Sequence, residues 1–346
     1  MATAAAAIVI AAAYGALWWG VAEGFRDSVD VWVAARRADG LSVDYAALEI
    51  GGFPSRIEAT IAAPSAAPSA ATSGDEPAWT WRGSGAVVRF APWRPETVHV
   101  DLAGDHVLTW MRAGRARTYE GTADHLVANL QFAGGKLRDI QMVGGDIRMD
   151  GDAGSFSLAM LKALLVWPEP APAETPPPSV RLQVAANGLR VPESAGLPLG
   201  DHIARLALDL DLFAVPRGAS FHAAAIAWRD AGGTIEVRRL ETEYGPLGVA
   251  AEGTLALDGA LQPIGAFTAR IVGFFETVDA LRDRGLVRPG ASALAKLVLR
   301  ILAKPPADGG PNALEIPVTI QDRTLSMGPV RLVKLPVLVW PGATEE

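Results

Sequence analysis

The feature that most constrains this chain is a two-residue alternation of apolar and polar side chains, repeated along much of its length. Between 205 and 212, Leu206, Leu208, Leu210 and Leu212 alternate with Arg205, Ala207, Asp209 and Asp211. Successive side chains of a strand point to opposite faces, so this segment presents one apolar and one wet face, as in a half-exposed antiparallel sheet. The same period runs through Val98, Val100 and Leu102, through Leu126, Ala128, Leu130 and Phe132, and through Leu314, Ile316, Val318 and Ile320. Between the runs lie Gly134-Gly135, Gly144-Gly145, Asp150-Gly151, Gly232-Gly233 and Asp258-Gly259. Glycine supplies the positive φ of hairpin turns, so these dipeptides read as strand reversals. The expected fold is mainly β with a few helices: curved antiparallel sheet of meander or hairpin type. Half of the 346 residues are apolar, enough for a sizeable core.

The N-terminus follows a different rule. No charged residue occurs from Ala2 to Ala22, a run that as a helix matches the roughly 30 Å hydrocarbon core of a bilayer. Tyr14, Trp18 and Trp19 stand toward its C-terminal end, where aromatic rings favour the membrane interface. The favoured reading is a signal anchor. A signal peptide cleaved near Ala11-Ala12-Ala13 and an Ala-rich core helix are the alternatives. Arg26, Arg36 and Arg37 follow the span and none precedes it; taken literally, the positive-inside rule leaves the C-terminal domain in the cytoplasm. A true start upstream of Met1, carrying a basic segment, would reverse that orientation. Helical spacing continues through Phe25, Val29, Trp32 and Val33 to a stop at Gly40, giving an amphipathic stalk.

Three further helices are expected. Their stripes are Leu158, Leu161, Leu164 and Leu165 before Pro168; Phe274, Phe275, Val278 and Leu281; and Leu294, Leu297, Val298, Ile301 and Leu302 before Pro305. Each reads as a cover for a sheet face, the third also as a membrane contact through Lys296, Arg300 and Lys304. Ala62 to Pro77, rich in Ala, Pro and Ser, reads as a mobile loop. Pro168 to Pro178 cannot join a sheet interior. The expected organisation is a membrane anchor helix and stalk over 1–40, a first β-rich half over 41–167, a Pro-rich linker over 168–178, a second β-rich half with two helices over 179–341, and a tail over 342–346. The two halves can share one sheet.

Chemistry is sparse. The net charge of -7 and the absence of basic runs beyond Arg36-Arg37 and Arg238-Arg239 argue against nucleic acid. With no cysteine, disulfides, thiolate metal sites and Cys nucleophiles are excluded. The histidines His99, His106, His125, His202 and His222 show no i, i+4 pair and no HExxH. His99 and His125 fall on wet strand faces. Gly83-Ser84-Gly85 lacks the third glycine of a dinucleotide loop, and strand follows it. No GxSxG elbow or phosphate-binding GxxxxGK[ST] occurs. Asp209 and Asp211 share a strand face and could hold a cation, although a wet face predicts such a pair anyway. Trp is abundant, with ten residues; Trp79, Trp81, Trp93 and Trp110 fall in the first half, Trp79 and Trp81 on one strand face. Core packing and an aromatic-lined groove for an apolar ligand both account for them. No enzyme is expected, and no catalytic, cofactor-binding, metal or ligand-binding residue can be assigned.

Several stretches together resemble a known family. An apolar N-terminal span is followed by a helix containing Arg36-Arg37 and then by a strand entering Gly51-Gly52-Phe53-Pro54-Ser55-Arg56. Further on come Trp228-Arg229-Asp230-Ala231-Gly232-Gly233, Tyr244-Gly245-Pro246-Leu247, Leu255-Ala256-Leu257-Asp258-Gly259, Met327-Gly328-Pro329-Val330 and Leu335-Pro336. The chain resembles the family called domain of unknown function 2125 over nearly its whole length apart from the linkers. The resemblance implies a bacterial single-pass inner-membrane protein with its main domain in the periplasm, and brings no activity and no site residues. A more distant likeness to AsmA-type envelope proteins implies curved sheets with an apolar concave face and a link to lipid movement. The expected partners are the membrane, a phospholipid or other apolar ligand, and an envelope protein, with no cofactor. The leading expectation is a lipid-binding β-groove, the second a structural adaptor, the third an envelope hydrolase. Within Gly-Phe-Pro, Pro54 marks a strand edge, Gly51 and Gly52 permit a bend, and Phe53 is expected to anchor the element in the core.

Overall fold

The computed structural model describes residues 2–68, 79–112, 115–169, 177–218, 221–285, 312–328 and 330–340. The chain falls into two compact units, Met1–Asp152 and Ala153–Glu346. Both are mainly β, every pairing among the described residues is antiparallel, and the sheet does not close on itself.

Unit 1 opens with a single helix, α1 (Ala2–Ala38), ended by Gly40 at φ 83°. Six strand passes follow as a meander, and the first four are each broken in two. The passes are β1 (Leu41–Asp44) with β2 (Ala47–Gly51), β3 (Ile57–Ala62) with β4 (Ser65–Pro68), β5 (Trp79–Gly83) with β6 (Gly85–Ala91), β7 (Arg94–Asp101) with β8 (Gly104–Arg112), then β9 (Arg115–Ala133) and β10 (Lys136–Gly151). The half-strands β2, β3, β6 and β7 pair in order and β7 joins the C-terminal part of β9. The half-strands β1, β4, β5 and β8 do the same and β8 joins its N-terminal part. A transverse crease therefore crosses the sheet. Backbone bonding persists through it: Ser84 N–H donates to Asp105 O at 2.8 Å, Gly83 N–H to Pro64 O at 2.9 Å and Leu102 N–H to Leu126 O at 2.7 Å. Ala63 at φ 45° and Asp146 at φ 49° supply the left-handed turns.

On one side of the crease, Ile57, Ala59, Ala86, Val88, Phe90 and Ala128 are buried. Helix α1 packs there through Trp18 and Ala22, against Ile57 and Phe90, with Val21, Phe25, Ile50 and Val98 around them. The spacing Trp18, Ala22, Phe25, Val29, Val33 puts these residues on one helix face. Burying each large side chain contributes about 1.5–3 kcal/mol. Residues 2–13 are exposed throughout.

Unit 2 is a second meander, β11 (Phe156–Val166), β12 (Val180–Arg190), β13 (His202–Phe213), β14 (Thr234–Tyr244), β15 (Leu247–Leu257), β16 (Pro263–Val272), β17 (Ala313–Gln321), β18 (Thr324–Met327) and β19 (Val330–Lys334), each paired to the next. Helix α2 (Phe221–Asp230) precedes β14 and helix α3 (Phe274–Asp283) follows β16.

Several expectations are corrected. Leu158, Leu161, Leu164 and Leu165 lie in β11, not in a helix. Leu161, Ala163 and Leu165 also alternate, so the run suits both periods, and pairing along β12 decides for strand. Across the Pro-rich segment, β11 and β12 pair in one sheet, an arrangement the sequence leaves open. Gly144-Gly145 lies within β10 rather than at a reversal. Gly232-Gly233 closes α2: Gly232 N–H donates to Arg229 O and Gly233 N–H to Trp228 O, a helix C-cap. Ser65–Pro68, inside the expected loop, is strand; residues 69–78 and the helix expected over 294–302 lie outside the described residues. Phe53 is 59 % exposed and is not a core anchor.

Candidate functional site

The strand register of unit 2 sorts its side chains into two faces. One transverse row reads Leu165, Leu182, Leu210, Val237, Gly253, Phe267, Val318 and Met327, position by position from β11 to β18. The neighbouring rows are Ala163, Val184, Leu208, Leu240, Ala251, Ala269 and Ile316, and Leu161, Ala186, Leu206, Thr242, Val249, Ile271 and Leu314. A fourth runs through Val180, Leu212, Ile235, Leu255, Gly265, Ile320 and Leu325. Thr242 is the one polar side chain in these four rows. The phenyl ring of Phe267 lies over Gly253, whose absent Cβ would sit 2.6 Å from that ring.

Among the described residues this face is only partly buried. Ala186, Val237, Ala269 and Leu314 are buried; the other members of the four rows are half-exposed. In unit 1, α1 packs on part of the sheet, over Ile57 and Phe90, while Ile50, Val98 and Phe132 stay partly exposed. A half-exposed apolar sheet of this breadth is the kind of patch that marks a ligand, membrane or protein contact.

The opposite face carries the charges, and a β-bulge makes this possible. The register slips at Arg238-Arg239, so Val237 and Leu240 share the apolar face while both arginines serve the polar one. An uninterrupted strand would turn one arginine into the apolar rows. Arg238 reaches Asp209 at 3.0 Å and Asp211 at 3.4 Å. Arg181 grips the buried Asp211 with two bonds, of 2.7 and 3.1 Å, and this partner raises the Arg181 pKa above its usual value. Arg239 pairs with Glu241 at 2.6 Å and holds that carboxyl below the ordinary range, as Arg89 does for Glu58 in unit 1. The Asp209–Asp211 pair thus faces two guanidinium groups, which leaves little net charge to draw a cation. Among the described residues no group of three or more His, Asp or Glu is placed to hold a metal ion.

Unit 1 adds a smaller apolar site. A cleft of about 470 Å³ lies between α1 and the sheet, lined by Val21, Phe25, Phe90, Val98 and Phe132, with Ser28 and Glu96 as its polar members and Gly134-Gly135 at one end.

The tryptophans divide. Trp79, Trp81 and Trp110 share one side of the creased sheet, where Trp110 stacks on Tyr119 at 4.7 Å. Trp81 Nε1 donates to His106 Nδ1 at 3.3 Å. His106 is buried and its Nε2 has no hydrogen-bond partner, which no sequence pattern indicated. Trp93 stands apart in the β6–β7 turn. His99 and His125 are exposed. Ser84 of the glycine pair acts at the crease, its Oγ accepting from Asp105 N–H at 3.0 Å.

Together these features define a class: an antiparallel meander protein with a half-open apolar sheet face and an N-terminal helix long and apolar enough to cross a membrane. Residues 18–336 match the family model described as an uncharacterised protein conserved in bacteria, DUF2125, and the chain belongs to that family. No curated protein and no solved structure matches it.

Proposed function

We propose that this is a non-catalytic, membrane-tethered protein whose unit 2 sheet takes up an apolar ligand, a phospholipid acyl chain being the chemistry that fits. The observation that carries the reading is the set of four apolar rows across the strands, most of whose members remain partly exposed. A surface merely buried in the core would not be left so open. The tether is α1, and the proposed setting is the bacterial inner membrane with the main domain in the periplasm. The likeness to AsmA-type proteins favours the same reading by architecture alone. The second reading is an adaptor, in which an envelope protein covers the apolar face.

The test uses the full chain in nanodiscs containing a phospholipid with a photoactivatable diazirine in its acyl chain. Labelled peptides are mapped by mass spectrometry. Labels on β12–β17 in addition to α1 support lipid uptake. Labels confined to α1 exclude it and favour the adaptor.

A further inference from the structure

Helix α1 and the loops beside it are arranged for more than tethering. Residues 2–13 project free of the sheet, which at about 1.5 Å per residue is roughly 18 Å of helix. From Tyr14 onward α1 lies against unit 1. Tyr14 OH donates to Pro54 O. Trp18 Nε1 donates to Arg56 O at 3.0 Å, and its ring meets the edge of Phe53 at 5.5 Å. Phe25 packs on Phe90, one strand row further in. The free end of α1 thus leaves unit 1 at the end where the Gly52–Arg56 loop and the Pro92–Trp93 turn sit side by side, since Ile57 pairs with Phe90.

That end is apolar and aromatic. Leu17 is 54 % exposed, Trp19 69 %, Phe53 59 % and Trp93 60 %. These residues surround the point where the helix departs, and Arg94 beside Trp93 is exposed too. Large exposed aromatics are costly in water and favourable at the headgroup boundary, where an arginine can meet lipid phosphate.

We infer that this rim seats unit 1 on the bilayer surface, with Phe53 and Trp93 inserted at the headgroup–acyl boundary. The inference rests on α1 being a membrane helix. It fixes the sheet end against the lipid rather than leaving it on a free stalk. It also sets Gly134-Gly135, at the end of the α1 cleft, at the same level, because Gln131 pairs with Thr97 just inside the Pro92–Trp93 turn.

The chain has no cysteine, so single sites can be labelled. Full-length Ala7→Cys, Phe53→Cys, Trp93→Cys and Glu120→Cys proteins, each carrying an environment-sensitive nitrobenzoxadiazole label, are reconstituted into phosphatidylcholine–phosphatidylglycerol vesicles. Emission shift and quenching by brominated lipid are read at each site. Ala7 reports the tether and Glu120, an exposed residue on the far side of the crease, reports water. Blue-shifted, quenched emission at Ala7, Phe53 and Trp93 but not Glu120 supports the rim. A lipid signal at Ala7 with Trp93 and Phe53 resembling Glu120 overturns the rim and leaves the tether standing. A water-like signal at Ala7 overturns the tether, and the rim with it.

Discussion

Asp211 is the residue on which the polar side of unit 2 turns. It is buried, and its carboxylate is held by Arg181 and reached by Arg238. Replacing it by Asn leaves two guanidinium groups facing a neutral amide. Because bonds to charged groups contribute about 1.5–3 kcal/mol each, Asp211→Asn is expected to lower stability by about that amount in denaturant unfolding; an unchanged midpoint would contradict the pairing. Glu58 and Glu241 contribute to stability against acid. Both have folded pKa values below the ordinary carboxylate range, through Arg89 and Arg239 respectively. A depressed pKa contributes stability above the unfolded value, and that stability is lost as pH falls through the folded value. Stability should accordingly hold at neutral pH and decline below about pH 4. The double variant Glu58→Gln, Glu241→Gln should flatten the decline, and an equally steep profile would refute the assignment.

At the scale of elements, the strands with strict alternation were legible, because period 2 leaves little choice of face. The alternation at Leu206–Leu212 gave both β13 and its polar partner row. What was not legible has physical causes. Strand β11 carries a pattern that satisfies helix and strand together, and only its neighbour β12 decides. Helix α2 is short and Ala-rich, with a weak apolar stripe; its anchor is Trp228, buried with Nε1 donating to Phe213 O at 2.8 Å. The indole also fills the space where Gly233 would carry a Cβ, 2.3 Å away. That explains the sequence pairing of Trp228 with a glycine pair. Trp228→Ala should therefore cost about 3–5 kcal/mol through the cavity left behind, measured as a loss in thermal or denaturant stability. The turn Tyr244–Leu247 shows the same economy, since a Cβ at Gly273, at φ +70°, would lie 1.8 Å from Pro246 O. The crease of unit 1 was invisible in sequence, because it depends on several passes breaking at matched positions.

For the whole molecule, the question is what the N-terminal helix and the open sheet do. The unbroken exposed stretch of α1 ends at Ala13, at the alternative cleavage signal Ala11-Ala12-Ala13, and contacts with the sheet begin at Tyr14. Intact mass of protein extracted from membranes distinguishes the two fates. A tether retains residues 2–13, whereas a mass beginning at Tyr14 would mean that α1 serves only as the cover of unit 1. Sequence alone leaves open which apolar face is core and which is groove, and the four rows of unit 2 emerge only from the strand register. The most direct measurement compares the full chain with its Leu208→Glu variant in the acyl-diazirine nanodisc assay. Leu208 is half-exposed between Val184 and Leu240, so a charge there should spare the fold, and labelling of α1 serves as the internal standard. The account expects the ratio of unit 2 to α1 labelling to fall about tenfold or more, as burying an unpaired charge demands; an unchanged ratio, or no unit 2 labelling in either protein, would contradict it.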